Sequence, residues 1–237
     1  MSPILPPSSR ASFRKITDIL RAGVMEFPET GYGGNGGPGR MLEDLLGVAE
    51  NNADSPDLAD WEVKFHGGRS LLTLFHKEPQ PRGIINKMVD YYGWDDDHGR
   101  ISFRHTISGP SPRGFRVENA EDRITIRNEQ HPEGPVAHWL HNTLFNAFSA
   151  KLRRLIVVDG EVLADPRRVT FKTATAYWEP DIRNLSQAIA DGVFYVDFDA
   201  RTNGARGTSI RNHGTKFRIK PENLAQVYTH KFEIPTS

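Results

Sequence analysis

Five consecutive residues, Trp61-Glu62-Val63-Lys64-Phe65, alternate between large apolar and charged side chains. Successive side chains of a β-strand face opposite sides. Trp61, Val63 and Phe65 must therefore turn into a core, while Glu62 and Lys64 share the other face. Asp57 stands in the polar stretch just before them, within Pro56-Asp57-Leu58-Ala59-Asp60. Two carboxylates and one ammonium can thus converge at a single strand. Hydrolysis of a phosphodiester asks for this set. A hard divalent cation takes oxygen ligands, activates water and offsets charge on the transition state. A lysine can orient or deprotonate that water. On spacing alone the commoner reading of Glu-x-Lys is a solvated charged face, so the motif needs support from the rest of the chain.

The 237 residues contain no cysteine, which excludes disulfides, thiolate zinc sites and cysteine nucleophiles. Hydrophobic residues make up 37% and charged residues 25%, the balance of a globular chain. No apolar run approaches the roughly 20 residues that span a membrane, and the N-terminus lacks a basic segment followed by an apolar one. The expected location is cytoplasmic. Net charge is zero but unevenly spread: residues 1–99 hold 10 Lys/Arg against 15 Asp/Glu, and residues 100–237 hold 20 against 15. An acidic part suits a metal, and a basic part suits phosphate.

Periodicity gives the elements. Helices are expected over Ser12–Ala22, Arg40–Leu46, Ile84–Tyr92, Trp139–Ala150 and Ile182–Ala190. Strands are expected over Trp61–Phe65, Leu71–His76, Ile101–Ile107, Gly114–Val117, Arg123–Arg127, Leu155–Val158, Val169–Trp178, Val193–Phe198 and Lys216–Ile219. Gly67-Gly68 suggests a hairpin joining the first two strands. Gly31 to Gly39 opposes regular structure. Residues 1–10, rich in Pro and Ser, are expected to be flexible. Helices and strands mix without strict alternation, so the fold class is mixed α/β, α+β in character.

Several further residues attract notice. Glu43 sits one position round its helix from a leucine stripe, where a carboxylate can lean over a metal centre. His76 ends an apolar strand. The basic, glycine-rich loop Arg201–Arg211, with Arg206 and Arg211, suits a DNA groove. Arg167-Arg168 and Lys151-x-Arg153-Arg154 are weaker phosphate candidates. His138-Trp139-Leu140-His141 has a metal-ligand spacing but no third ligand, and reads as packing.

In order along the chain, Gly39–Gly47, Glu50-Asn51-Asn52, Asp57-x4-Glu62-x-Lys64, Leu72-Thr73-Leu74-Phe75-His76-Lys77, Phe171-Lys172-Thr173-Ala174, Ile189-Ala190-Asp191-Gly192-Val193 and Gly214–Ile219 resemble the MvaI/BcnI restriction endonucleases. That family is a branch of the PD-(D/E)xK nucleases related to the MutH nicking enzyme. The resemblance implies a restriction-endonuclease-like core with a second DNA-recognition lobe, the two closing around a duplex. Residues 11–115 would be mainly catalytic and 116–237 mainly recognition, with interleaving allowed. It implies Asp57, Glu62 and Lys64 as the catalytic trio. Asp57, Glu62 and the Val63 carbonyl would ligate Mg2+, with Mn2+ able to substitute and Glu43 accessory. His76 would reach bases near the centre of the site. The expected activity is nicking, one strand at a time and as a monomer, of double-stranded DNA at a short near-palindromic site, with a cognate DNA methyltransferase as companion.

Arg211-Asn212-His213-Gly214-Thr215-Lys216 departs from the His-Asp-Arg-Gly-Pro-His pattern of the BcnI branch and keeps only the glycine. Asn212, His213 and Lys216 therefore imply a different target, since asparagine pairs with adenine while arginine and lysine favour guanine. Alternatives at this point are a repair or anti-phage nicking nuclease needing a partner, and a DNA-binding protein that reuses the fold without catalysis.

Overall fold

The computed structural model describes residues 4–28, 31–32, 34, 36–48, 58, 60–164 and 167–236. In chain order the elements are α1 (Ser9–Arg21), β1 (Val24–Glu26), α2 (Gly37–Leu46), β2 (Glu62–Gly67), β3 (Leu72–His76), α3 (Ile84–Tyr92), β4 (Trp94–Asp95), β5 (Ile101–Ile107), β6 (Phe115–Asn119), β7 (Arg123–Asn128), β8 (Ala137–Leu140), α4 (His141–Lys151), β9 (Arg154–Val162), β10 (Arg168–Pro180), α5 (Leu185–Ala190), β11 (Phe194–Thr202), β12 (Ile210–Asn212), β13 (Lys216–Ile219) and β14 (Tyr228–Glu233). The fold is mixed α+β, as the patterning requires. The chain forms two compact units, one of residues 1–70, 149–181 and 224–237, the other of residues 71–148 and 182–223. The expected boundary at residue 115 assigned lobes by role. The units are set by packing, and the chain passes between them more than once.

The first unit holds a sheet in the order β1-β10-β9-β2, with β14 also on β10. Strand β2 runs parallel to β9, Glu62 beside Leu155 and Lys64 beside Val157. This corrects the expected hairpin: β2 and β3 belong to different sheets. Gly68 does turn the chain, at φ +68°. The apolar run Leu155–Val158, each residue at most 2% exposed, makes a better partner for β2. Trp61, Val63 and Phe65 pack with Phe13, Ile16, Met41, Leu42, Leu46 and Phe171. The Trp61 ring lies 5.4 Å from Phe13 and 6.3 Å from Trp178. The Phe65 ring covers Gly160, where an added Cβ would meet the Thr170 carbonyl at 2.3 Å and the ring at 2.9 Å.

The second unit holds a sheet ordered β3-β13-β11-β5-β4, with β12 on β11, and a separate sheet β6-β7-β8. Strand β11 alternates strictly, its even-numbered residues from Phe194 to Thr202 buried and its odd ones half-buried. Phe217 stacks on Phe75 at 4.6 Å and meets Trp139 edge-on at 5.3 Å. Trp139 belongs to β8, so the helix expected from Trp139 starts instead at His141. Burial at 1% exposure and an indole N–H donated to the Lys77 carbonyl at 2.9 Å hold Trp139 in place. Strand β14 has no counterpart among the expected elements. Helix α2 begins at Gly37 rather than Arg40, with Pro38 in its first turn, a position where the missing N–H costs nothing.

His105 on β5 gives this unit a pH response. The Ser111 hydroxyl oxygen accepts from the Arg113 and Phe115 amides, so its proton is left for His105 Nε2 at 3.0 Å. That nitrogen is an acceptor. Burial, then the Arg113 charge, push the imidazole below its ordinary value of 6.5, against Asp197. The unfolded chain therefore binds this proton more readily than the folded one. Stability present above pH 6.5 is lost as pH falls through that value toward the lower folded one. The midpoint of thermal unfolding should drop between pH 7.5 and 5.5, and His105→Gln should reduce the drop. An identical drop in the variant would contradict this.

Candidate functional site

Leu58 and Trp61 exchange backbone hydrogen bonds, Leu58 N to Trp61 O at 2.8 Å and Trp61 N to Leu58 O at 2.9 Å. This tight turn feeds directly into β2. Glu62 is then only 4% exposed although it faces away from the Trp61–Phe65 cluster. A carboxylate withdrawn from water needs a compensating partner. Lys64 provides one, donating from Nζ to Glu62 Oε1 at 2.9 Å, its side chain 20% exposed. The charge of Glu62 also acts on Tyr228, whose phenol burial pushes well above its ordinary range while it donates to the Leu152 carbonyl at 2.7 Å. The same strand face continues with His66, bound to Asp159 Oδ1 at 2.7 Å and to the Ser70 carbonyl at 2.9 Å. Period-two spacing from Glu62 and Lys64 was the signal for His66. Asp159 is its cross-strand neighbour on β9.

Asp57 lies outside the described residues. Glu43 is half-buried on α2, next to fully packed Leu42, and α2 packs against β2. Val63 lies between the two charged residues with its side chain in the core. Asp60, the other acid of the motif, is committed elsewhere: it accepts from the Ser8 hydroxyl and pairs with Arg154. Among the described residues no group of three or more acidic or histidine side chains is arranged to hold a metal ion.

In the second unit, strand register gathers the residues expected to read DNA. His76 pairs with Lys216 across β3 and β13, and Lys216 with Asp197 across β13 and β11. Lys216 Nζ lies 2.9 Å from Asp199 Oδ2, and Arg104 Nε 3.2 Å from Asp199 Oδ1. The Asp199 carboxyl, although burial opposes it, is held below the usual carboxylate range by the Lys216 hydrogen bond and charge, then His213 and Arg104. Arg218 pairs with Asp197 at 3.2 Å. Arg211 stands opposite Arg201 on β12 and β11. Arg206 is set apart, its guanidinium donating to the Asp90 carbonyl at 2.8 Å. Sequence reading missed Asp197 and Asp199, although their alternation with Arg201 on one strand marks a shared polar face. It also missed Glu78, Arg104 and Arg218, which only the register brings in.

This fold is similar to two solved structures. One is the restriction endonuclease MvaI–cognate DNA substrate complex, at 25% identity over 98% of this chain and 100% of that one, with a TM-score of 0.78. The other is restriction endonuclease MvaI in the absence of DNA, at the same identity and coverage, with a TM-score of 0.55. No curated protein matches the chain. The architecture is thus that of a restriction endonuclease. The profile of the MvaI/BcnI restriction endonuclease family matches residues 13–228, and the chain belongs to that family. It is a site-specific deoxyribonuclease.

The Glu62–Lys64 pair has a measurable signature. Lys64→Met leaves a buried carboxylate without its cation and should cost about 1–3 kcal/mol. Adding Glu62→Gln should return part of that loss, because a neutral amide needs no counter-charge. Urea unfolding of the two single variants and the double variant gives the coupling. Strictly additive effects would show that the pair is not the compensating interaction.

Proposed function

We propose that this endonuclease hydrolyses double-stranded DNA at a short near-palindromic site, one strand at a time and as a monomer, with Mg2+ and with Asp57, Glu62 and Lys64 at the reacting centre. The observation that carries the reading is the buried Glu62 carboxylate, 4% exposed, with the Lys64 ammonium 2.9 Å away on the same strand face. A structural ion pair gains little from such burial. A reacting centre uses it, since charge acts more strongly where water is excluded.

The donor set fits a hard divalent cation. Asp57, Glu62 and the Val63 carbonyl offer oxygen alone, the preference of Mg2+, with Mn2+ as a substitute and Glu43 as an accessory acid. These residues would hold the ion, which when bound supplies charge neutralisation and a more acidic water. Lys64 has its own part. Its ammonium is fixed by Glu62 and only partly open to solvent, so it can orient the attacking water, contact the phosphate and move a proton at Nζ. On the second unit, His76, His213 and Lys216 are the base-reading candidates, with Asn212 in the same turn. Arg206 and Arg211 are candidates for phosphate or guanine. A restriction role implies a companion DNA methyltransferase that protects the host site.

Supercoiled plasmid should yield nicked circles before linear DNA in Mg2+ and stay supercoiled in EDTA, at a rate proportional to enzyme concentration. Plasmid left intact in both Mg2+ and Mn2+ would refute the reading. Linear product without a nicked intermediate, rising with the square of enzyme concentration, would refute monomeric nicking.

A further inference from the structure

The turn Asn212–Thr215 lies between β12 and β13, amid the residues expected to reach bases. Its three successive amides are each claimed from within the second unit. His213 N donates to the Asp199 carbonyl at 2.9 Å. Gly214 N donates to Asn212 Oδ1 at 2.9 Å. Thr215 N donates to Glu78 Oε1 at 2.7 Å. The second oxygen of the same carboxylate, Glu78 Oε2, accepts from Asn212 Nδ2 at 2.7 Å. Glu78 follows β3 directly, and Lys77 N donates to the Thr215 carbonyl at 3.0 Å, extending the β3–β13 ladder by one bond. Gly214 takes φ +87°, and a Cβ there would come within 3.1 Å of His76 Nδ1. One carboxylate thus ties together both ends of the turn, beside His76 and before Lys216.

We infer that Glu78 is a specificity-positioning residue: it clasps the Asn212–Thr215 turn in one conformation before DNA arrives, and so sets where His76, His213 and Lys216 meet base edges. This rests on the proposed DNA-reading role of that turn. It also revises Asn212. Both ends of its amide are engaged inside the protein, Nδ2 on Glu78 and Oδ1 on the Gly214 amide, so Asn212 shapes the turn rather than reading adenine. A free turn would have to order on binding, and a correct and an incorrect site would draw on that ordering alike. A preformed turn lets a misplaced base edge go unpaired, which is the source of discrimination.

The donor and acceptor pattern gives a specific test. Glu78→Gln places an N–H2 group against either the Thr215 amide or the Asn212 amide, donor facing donor. Glu78→Gln with Asn212→Asp restores every pairing and keeps the total charge, with the new amide donating to the new carboxylate. The measurement is selection of bound duplexes from a random-sequence DNA pool in metal-free buffer, alongside amide hydrogen exchange of the free protein. Wild type should enrich one motif and protect the Thr215 and Gly214 amides. Glu78→Gln should lose that protection and lower discrimination against single-base variants of the motif by about tenfold, the scale of one base contact. The double variant should recover both. Unchanged discrimination in Glu78→Gln, or no recovery in the double variant, would overturn the inference. So would a wild type that enriches no motif. A wild type that selects a motif but cuts no DNA would refute the nuclease reading and leave the clasp to be judged by its own variants.

Discussion

The parallel pairing of β2 with β9 is the constraint on which the rest depends. It fixes one face of β2 in the core through Trp61, Val63 and Phe65 and leaves Glu62 and Lys64 no choice but the opposite face. Because β9 presents the buried apolar run Leu155–Val158 alongside, the pair sits beside a dry wall rather than in open solvent. The carboxylate is withdrawn from water, and a neighbouring ammonium offsets that cost. Gly160 and Phe65 close the far end of the two strands, where a Cβ would strike the Thr170 carbonyl. A change of register by one residue would send Glu62 and Lys64 into the core and Trp61 out of it.

The second unit manages charge differently. Its large sheet also has one apolar face, built on Phe198, Phe217 and Phe75, and one polar face. On the polar face acidic residues hold basic ones in place: Asp199 holds Lys216 and Arg104, and Asp197 holds Arg218. Long cationic side chains are thereby kept in fixed positions before a ligand is present, which lessens the ordering cost of binding. Glu78 does for a turn what Asp199 does for a strand.

Much of this was legible in the chain. The alternation around Val63 gave the strand and its two faces, and the ordered set of short motifs gave the family. Periodicity located α1, α3, β5 and β11 to within a few residues. Pairing partners were not legible, because a strand's own pattern states which face is buried but not which strand lies beside it. The glycine pair at 67–68 therefore suggested a hairpin, whereas the apolar run at 155–158 was the true neighbour. Trp139 was drawn into a helix because apolar residues follow it, although its indole is needed by the Lys77 carbonyl. Glu78 and Arg104 carried no local signal. They matter only through register, which joins residues about ninety or more positions apart.

The most direct test of the central claim separates binding from cutting at Lys64. Under single-turnover conditions with Mg2+, Lys64→Ala should bind its target duplex within a few-fold of wild type and cleave it at least about a thousandfold more slowly, the scale of losing an electrostatic contact made in the transition state. Cleavage within tenfold of wild type would contradict the assignment of the reacting centre to the Glu62–Lys64 face of β2.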